Sequence, residues 1–126
     1  ALFCNDDRHL NNIAVIEQNG KFDYCPIFDN GAGLLSNTQL SPMDILPPAL
    51  ISALQARPFN ITFTRQMNTA RSLYGTQLVM PKLTTSDIRE ILEPVLNYYP
   101  QRDRGIMADR VKTCILIRQR KLQGKT

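Results

Sequence analysis

Two short strand-like runs on either side of an Asn-Gly pair constrain the fold of this chain most. Residues 13–17 and 21–28 are rich in β-branched and aromatic residues, and Asn19-Gly20 lies between them. Asn-Gly accepts the positive φ angles of a tight turn, so the pattern predicts an antiparallel β-hairpin. Pro26 limits the second strand to an edge or an early end. Because a hairpin returns the chain to its starting point, the residues before and after it are predicted to be neighbours.

Helix signals dominate the chain beyond the hairpin. Three helices are predicted: one over 48–57 after Pro47, one with Thr85-Ser86-Asp87 and Glu90 as its N-cap and first turn, and one from about Asp103 to Leu122. Residues 32–46 are predicted to form a loop, and residues 58–83 are weakly helical and end at Pro81. The predicted fold class is therefore mainly α with a small β-hairpin, an α+β arrangement.

Length and composition are those of one domain. The chain has 126 residues, of which 43% are hydrophobic, and no apolar run approaches the length of a membrane span. Cys4, Cys25 and Cys114 are widely spaced and do not match a zinc site or a disulfide framework, so reduced thiols are predicted, with Cys4 and Cys25 in the core. We expect a soluble, cytoplasmic, single-domain protein over residues 1–126.

Charge is distributed unevenly along the chain. Residues 1–63 contain three Lys or Arg against six Asp or Glu, whereas residues 64–126 contain twelve against five. A basic second half is compatible with binding to nucleic acid or to anionic lipid. It is also compatible with a solvated helix face, because the basic residues alternate with apolar ones.

Polar residues lie on both sides of the hairpin, before its first strand and after its second. Asp7 and Asn12 lie five residues apart just before the first strand, and Asp29-Asn30-Gly31 follows the second. Two carboxylates and an amide oxygen at one end of a hairpin suit Mg²⁺, which prefers a few such oxygens and completes its octahedron with water and phosphate oxygens. The spacing Asp-x-x-x-x-Asn, hairpin, Asp-x-Gly is the catalytic signature of protein kinases.

A family resemblance follows from these residues. Residues 7–13 read Asp-Arg-His-Leu-Asn-Asn-Ile and resemble the catalytic loop of phosphatidylinositol kinases. Together with residues 26–31, Pro-Ile-Phe-Asp-Asn-Gly, the motif is most similar to that of the bacterial HipA-like serine/threonine kinases, some of which belong to toxin–antitoxin systems. The resemblance implies that Asp7 is the catalytic aspartate, that Asn12 and Asp29 bind Mg²⁺ and ATP, and that His9 is a structural or phosphate-proximal residue.

The same resemblance implies that the chain is the C-terminal lobe of such a kinase. Residues 1–46 would supply the catalytic loop, the hairpin and the metal-binding loop, and residues 47–126 a helical body. The sequence contains neither a glycine-rich phosphate loop nor a lysine-bearing strand, so the N-lobe is expected as a partner, from the same gene or a separate chain. The chain alone is therefore predicted to be inactive. A protein serine or threonine is the expected substrate, and a lipid or small-molecule hydroxyl is the alternative.

Several alternatives stay open at this level. Asp7 and Asn12 are also typical of turns and caps. His9 could act as the general base in place of Asp7, and Asn30 could pair with the loop or contact the metal. The whole chain could be a non-catalytic binding or regulatory module that keeps the kinase architecture, with DNA as a partner of its basic half.

Overall fold

The computed structural model of the protein describes residues 1–75 and 82–123. Within these ranges it contains a two-stranded antiparallel hairpin and four α-helices: β1 Val15–Gln18, β2 Lys21–Tyr24, α1 Pro47–Ala53, α2 Phe63–Tyr74, α3 Thr85–Leu96 and α4 Gln101–Leu122. Short 3-10 turns span Leu10–Asn12 and Gly33–Leu35. The predicted α+β class is confirmed. None of the described helices combines the length and apolarity needed to cross a bilayer.

The hairpin forms where the sequence predicts it. β1 pairs with β2 from Val15 opposite Tyr24 to Gln18 opposite Lys21. Asn19 and Gly20 form the turn with φ angles of 55° and 72°, the left-handed values for which Asn-Gly is suited. Both strands are solvent-exposed along their whole length. The hairpin therefore places the loops at its two ends without contributing to the buried core.

The boundaries of α1 and α3 differ from the predicted ones. α1 ends at Ala53 rather than at residue 57, because Arg57 precedes a proline and the chain turns back so that the Ala56 N–H donates to the Ile61 carbonyl at 2.7 Å. α3 is capped by Thr84, whose hydroxyl accepts from the Asp87 N–H in a capping box. The predicted cap at residues 85–87 with Glu90 was thus one residue late.

Two further helix boundaries can be compared with the sequence. The weakly helical region contains a regular helix, α2, with a Thr62 N-cap whose side chain accepts from the Arg65 N–H. α4 begins at Gln101, directly after Pro100, which is two residues before the predicted start. The predicted end at Pro81 lies outside the described residues.

α4 is the element on which the others pack. It contacts α1, α2, α3 and the Gly33–Leu35 turn. The main buried cluster consists of small and medium side chains from several elements: Cys4, Leu35, Ile51, Ala56, Phe63 and Cys114. Cys114 and Ile115 of this helix are both buried. Loops before and after the hairpin are thereby anchored to one helix.

Two arginines of α4 are buried and bond to backbone carbonyls. Arg110 donates to the carbonyls of Leu35, Ser41 and Pro42, at 2.6 Å for Ser41. Arg118 donates from Nε to the Ala1 carbonyl at 3.1 Å, and its guanidinium lies over the Phe63 ring, 5.4 Å from the centroid. Carbonyl groups of irregular segments need such donors when they are buried. The loop at 35–42 thus depends on Arg110.

Replacing Arg110 with Met is expected to lower the free energy of unfolding by about 2–4 kcal/mol, because the side chain keeps most of its volume while three carbonyls lose a charged donor. Urea denaturation of the chain measures this. The control is Arg120→Met, an exposed arginine on the same helix, which should stay within about 0.5 kcal/mol of the parent. Equal stability of the Arg110 variant and the parent would contradict the assignment.

Two of the three thiols are inaccessible. Cys4 and Cys114 are buried, which confirms the core position of Cys4, whereas Cys25 is only half-buried. Burial raises the pKa of the Cys4 thiol and raises the pKa of the Cys114 thiol to about 12. Both buried thiols therefore stay protonated and poorly nucleophilic at neutral pH.

We expect an aromatic disulfide reagent at about pH 8 to label Cys25 alone in the folded chain, and to reach all three thiols in denaturant. Folding stability should fall as the pH rises from about 9 toward 12, because the unfolded thiols ionise first and the folded Cys114 does not. The Cys25→Ser variant should lose the rapid labelling. Fast labelling of two or more thiols in the native chain would show this burial to be wrong.

Candidate functional site

A tight turn before the hairpin brings Asp7 and Asn12 together. The Asp7 carbonyl accepts from the His9 N–H at 2.9 Å and from the Asn12 side-chain Nδ2 at 3.0 Å. The 3-10 turn Leu10–Asn12 closes the loop and buries Asn12. Because Nδ2 is bonded to the backbone, the Asn12 amide has a fixed orientation, and its Oδ1 is the end of the side chain left for a cation.

Asn5 joins this turn to the loop after the hairpin. Its Oδ1 accepts from the Asp7 N–H at 3.1 Å, and its Nδ2 donates to the Asp29 carbonyl at 3.2 Å. Asn5 is itself buried, so these bonds are protected from water. The predicted proximity of the two hairpin ends is therefore confirmed by a single side chain that bonds to both Asp7 and Asp29.

Arg8 makes a second connection between the two loops. One guanidinium nitrogen, Nη1, donates to the Asn12 carbonyl at 2.9 Å and to the Phe28 carbonyl at 2.6 Å. The other, Nη2, donates to the Asn30 Oδ1 at 2.6 Å. Sequence reasoning assigned no role to Asn5 or Arg8. Arg8 is part of the Asp-Arg-His motif, and the sequence signal of Asn5 is its place in the polar stretch two residues before Asp7.

The loop at 29–33 has an unusual backbone. Asp29 adopts a left-handed φ of 53°, which Asp and Asn tolerate better than most residues. Asn30 uses its Oδ1 to accept from Arg8 and, at 3.4 Å, from Asn5, so it pairs with the loop. A Cβ on Gly33 would lie 3.3 Å from the Phe3 carbonyl, which explains that glycine. Gly31 has open space and nothing in the structure explains it.

Arg57 is an unpredicted member of the site. Its Nη1 lies 2.9 Å from the Asp7 Oδ1, and the two side chains are 55% and 48% exposed. Arg57 also lines two open cavities of about 470 and 540 Å³. Asp6 and Asp7 line the first cavity, and His9 lines the second. Nothing in the local sequence marks Arg57, because the contact joins residues 50 positions apart.

Asn12 and Asp29 at the hairpin base carry oxygen donors of the kinds that a hard divalent cation binds, and the described residues contain no group of three or more His, Cys, Asp or Glu that could hold a metal ion. Asn12 offers an amide oxygen on an anchored side chain, and Asp29 offers an exposed carboxylate on the neighbouring loop. Oxygen donors of these two kinds are those that Mg²⁺ accepts, with water and phosphate oxygens for the rest of its octahedron. Asp7, His9, Asn12 and Asp29 thus all belong to the turn and loop that Asn5 and Arg8 hold together.

Comparison of the chain with protein-family models, with curated proteins and with solved structures finds no match.

Replacing Arg8 with Met should loosen both loops, because two carbonyls and the Asn30 amide oxygen lose their donor. We expect faster amide hydrogen exchange in residues 5–13 and 28–34 and a loss of about 1–2 kcal/mol in stability. Arg89→Met, at an exposed position of α3, is the matched control. Unchanged exchange in both segments would mean that Arg8 does not hold them together.

Proposed function

We propose that this chain supplies the catalytic lobe of an ATP- and Mg²⁺-dependent kinase of the HipA-like kind. The observation that supports the proposal best is the hydrogen-bond network of Asn5 and Arg8, which connects Asp7 and Asn12 with Asp29. A turn or cap role alone would explain Asp7 and Asn12 singly. It would not explain why the buried Asn5 and the half-buried Arg8 join them to the Asp29 loop.

Asp7 has the position that a proton acceptor needs. Its carboxylate is about half exposed and borders an open cavity, so a substrate hydroxyl can reach it. In the proposed reaction the hydroxyl oxygen forms a bond to the γ-phosphorus of ATP. The bond from that phosphorus to the bridging oxygen breaks, ADP leaves with the electron pair, and the hydroxyl proton passes to Asp7.

Asn12 and Asp29 would hold the magnesium ion, which when bound neutralises phosphate charge and aligns the transferred group. Their own contribution is position: the Asn12 amide is fixed by the Asp7 carbonyl, and the main chain of Asp29 is held by the Asn5 amide. His9 borders the second cavity together with Arg57, which is compatible with a phosphate-proximal role. In this assignment Asp7 rather than His9 is the general base.

A second lobe is part of the proposal. A glycine-rich loop and a lysine strand, which are absent from this sequence, would hold the adenine and the α- and β-phosphates. The hairpin offers a surface for such a lobe, because Val15, Phe22 and Tyr24 share one face and are 58%, 72% and 82% exposed. The substrate proposed is a serine or threonine of a protein, with a lipid or small-molecule hydroxyl as the alternative.

Binding of nucleic acid by the basic second half has less support. Arg110 and Arg118 are buried, and Arg104 donates to the Tyr99 carbonyl and to Asn97. Lys112 pairs with Asp109. Several cations that the charge count assigns to a free surface are therefore engaged within the fold. This observation favours the catalytic reading over the alternative of a non-catalytic, DNA-associated module.

The test uses the full-length protein that carries this chain, with ATP turnover measured against Mg²⁺ concentration. Asp7→Asn should lower kcat by about 10²- to 10⁴-fold, because the amide cannot take the hydroxyl proton. Asp29→Asn should raise the Mg²⁺ concentration needed for half-maximal turnover, because one anionic ligand is lost. Asp44→Asn, at an exposed carboxylate distant in sequence from the site, is the control.

Turnover by both Asp7→Asn and Asp29→Asn at the level of the parent would overturn the proposed function. Salt-sensitive binding to duplex DNA together with no ATP turnover in the parent would favour the non-catalytic alternative.

A further inference from the structure

We propose that Arg57 binds the γ-phosphate and exchanges its ion pair with Asp7 for the phosphoryl group that is transferred. The inference rests on the proposed function and deepens it. It assigns a phosphate-binding residue to a segment, the turn after α1, that lies outside the motif from which the function is argued. The juxtaposition of Arg57 with the Asp7 carboxylate and two open cavities carries it.

Arg57 lines two open cavities, of which the first also borders Asp7. One cavity, of about 470 Å³, is lined by Asp6, Asp7 and Arg57 among others. The other, of about 540 Å³, is lined by His9 and again by Arg57. Among the described residues that line these two cavities, Arg57 is the only Lys or Arg. A triphosphate group that enters either cavity therefore meets one Lys or Arg among the described lining residues, which is Arg57.

The bonding of Arg57 differs from that of Arg8. Arg8 donates from both terminal nitrogens to carbonyl and amide oxygens of the two loops. Moving it would leave these oxygens without their donor and remove the bonds between the loops. Arg57 makes one ion pair through Nη1, and its side chain is 55% exposed. Exposed single ion pairs contribute little to stability, so this one can be exchanged without disturbing the fold.

Phosphate is the better partner for a guanidinium. The planar group can bond two phosphate oxygens at once, and the γ-phosphate carries more negative charge than one carboxylate. When Arg57 transfers to the γ-phosphate, Oδ1 of Asp7 becomes available to the substrate hydroxyl. The same movement places positive charge beside the phosphoryl oxygens as the bond to ADP breaks and the hydroxyl proton passes to Asp7. Arg57 keeps its own protons throughout.

The experiment compares binding and turnover in the full-length protein for Arg57→Gln, Arg57→Lys and the control Arg89→Gln. Calorimetry with Mg²⁺ gives the affinities for a non-hydrolysable ATP analogue and for ADP. We expect Arg57→Gln to lower the affinity for the analogue by about 10- to 100-fold and to leave the affinity for ADP within about two-fold of the parent, because only the analogue has a γ-phosphate. Its kcat should fall by about 10²- to 10³-fold. Arg57→Lys should retain part of the analogue affinity and part of kcat. Arg89→Gln should retain both at the level of the parent.

Each outcome decides between the two proposals. If the parent binds and turns over ATP but Arg57→Gln leaves the analogue-to-ADP affinity ratio unchanged, the role of Arg57 is overturned and the kinase function stands. A rise in kcat for Arg57→Gln would show that Arg57 only blocks Asp7, which also overturns it. If the parent neither binds nor turns over ATP, both proposals fall. Because Arg57 is exposed, circular dichroism should confirm that the variants are folded.

Discussion

The structure depends on hydrogen bonds from buried arginines of α4 to carbonyls of segments that have no regular structure. Arg118 fixes the start of the described chain through the Ala1 carbonyl, and Arg110 fixes the loop at 35–42. Both segments adjoin the site, since one leads into Asp7 and the other follows Asp29. A buried carbonyl without a donor is costly, and a charged donor bonds several at once, so one helix can hold two irregular segments in place.

While α4 holds these segments in place, the hairpin determines where the loops at its two ends meet. β1 and β2 are exposed and add little buried surface, yet their register sets the Asp7 turn beside the Asp29 loop. The hydrogen bonds of Asn5 and Arg8 then fix the two loops relative to each other. The left-handed backbone at Asp29 is strained for a residue with a side chain, and such strain persists only where surrounding bonds hold it. Here Asn5 donates to the Asp29 carbonyl, and Arg8 donates to the Phe28 carbonyl and to the Asn30 side chain.

Local patterns in the sequence were sufficient to predict the hairpin and the proximity of the loops that carry Asp7, Asn12 and Asp29. Turn chemistry and strand pairing act over a few residues, so a local pattern contains the information needed. The cap of α3 was misplaced by one residue, since Thr84 and Thr85 are chemically equivalent and only the reciprocal bond with Asp87 distinguishes them. The contacts of Arg110 and Arg57 were missed altogether. They join residues 50 or more positions apart, and a charged residue on a helix or in a turn reads as solvent-exposed until its partner is known.

Four arginines, Arg8, Arg57, Arg110 and Arg118, divide according to the oxygen that each one bonds. Arg8, Arg110 and Arg118 bond neutral carbonyl, amide or hydroxyl oxygens within the fold, and an anionic ligand could attract them only by leaving those groups without donors. Arg57 bonds a half-exposed carboxylate, an acceptor that water can solvate once the pair separates. Rigid positioning and exchangeable charge are thus assigned to different residues. The phosphoryl transfer proposed for this site would need both, because the proposed metal ligands would have to stay in place while the charge around the proposed proton acceptor changes during the reaction.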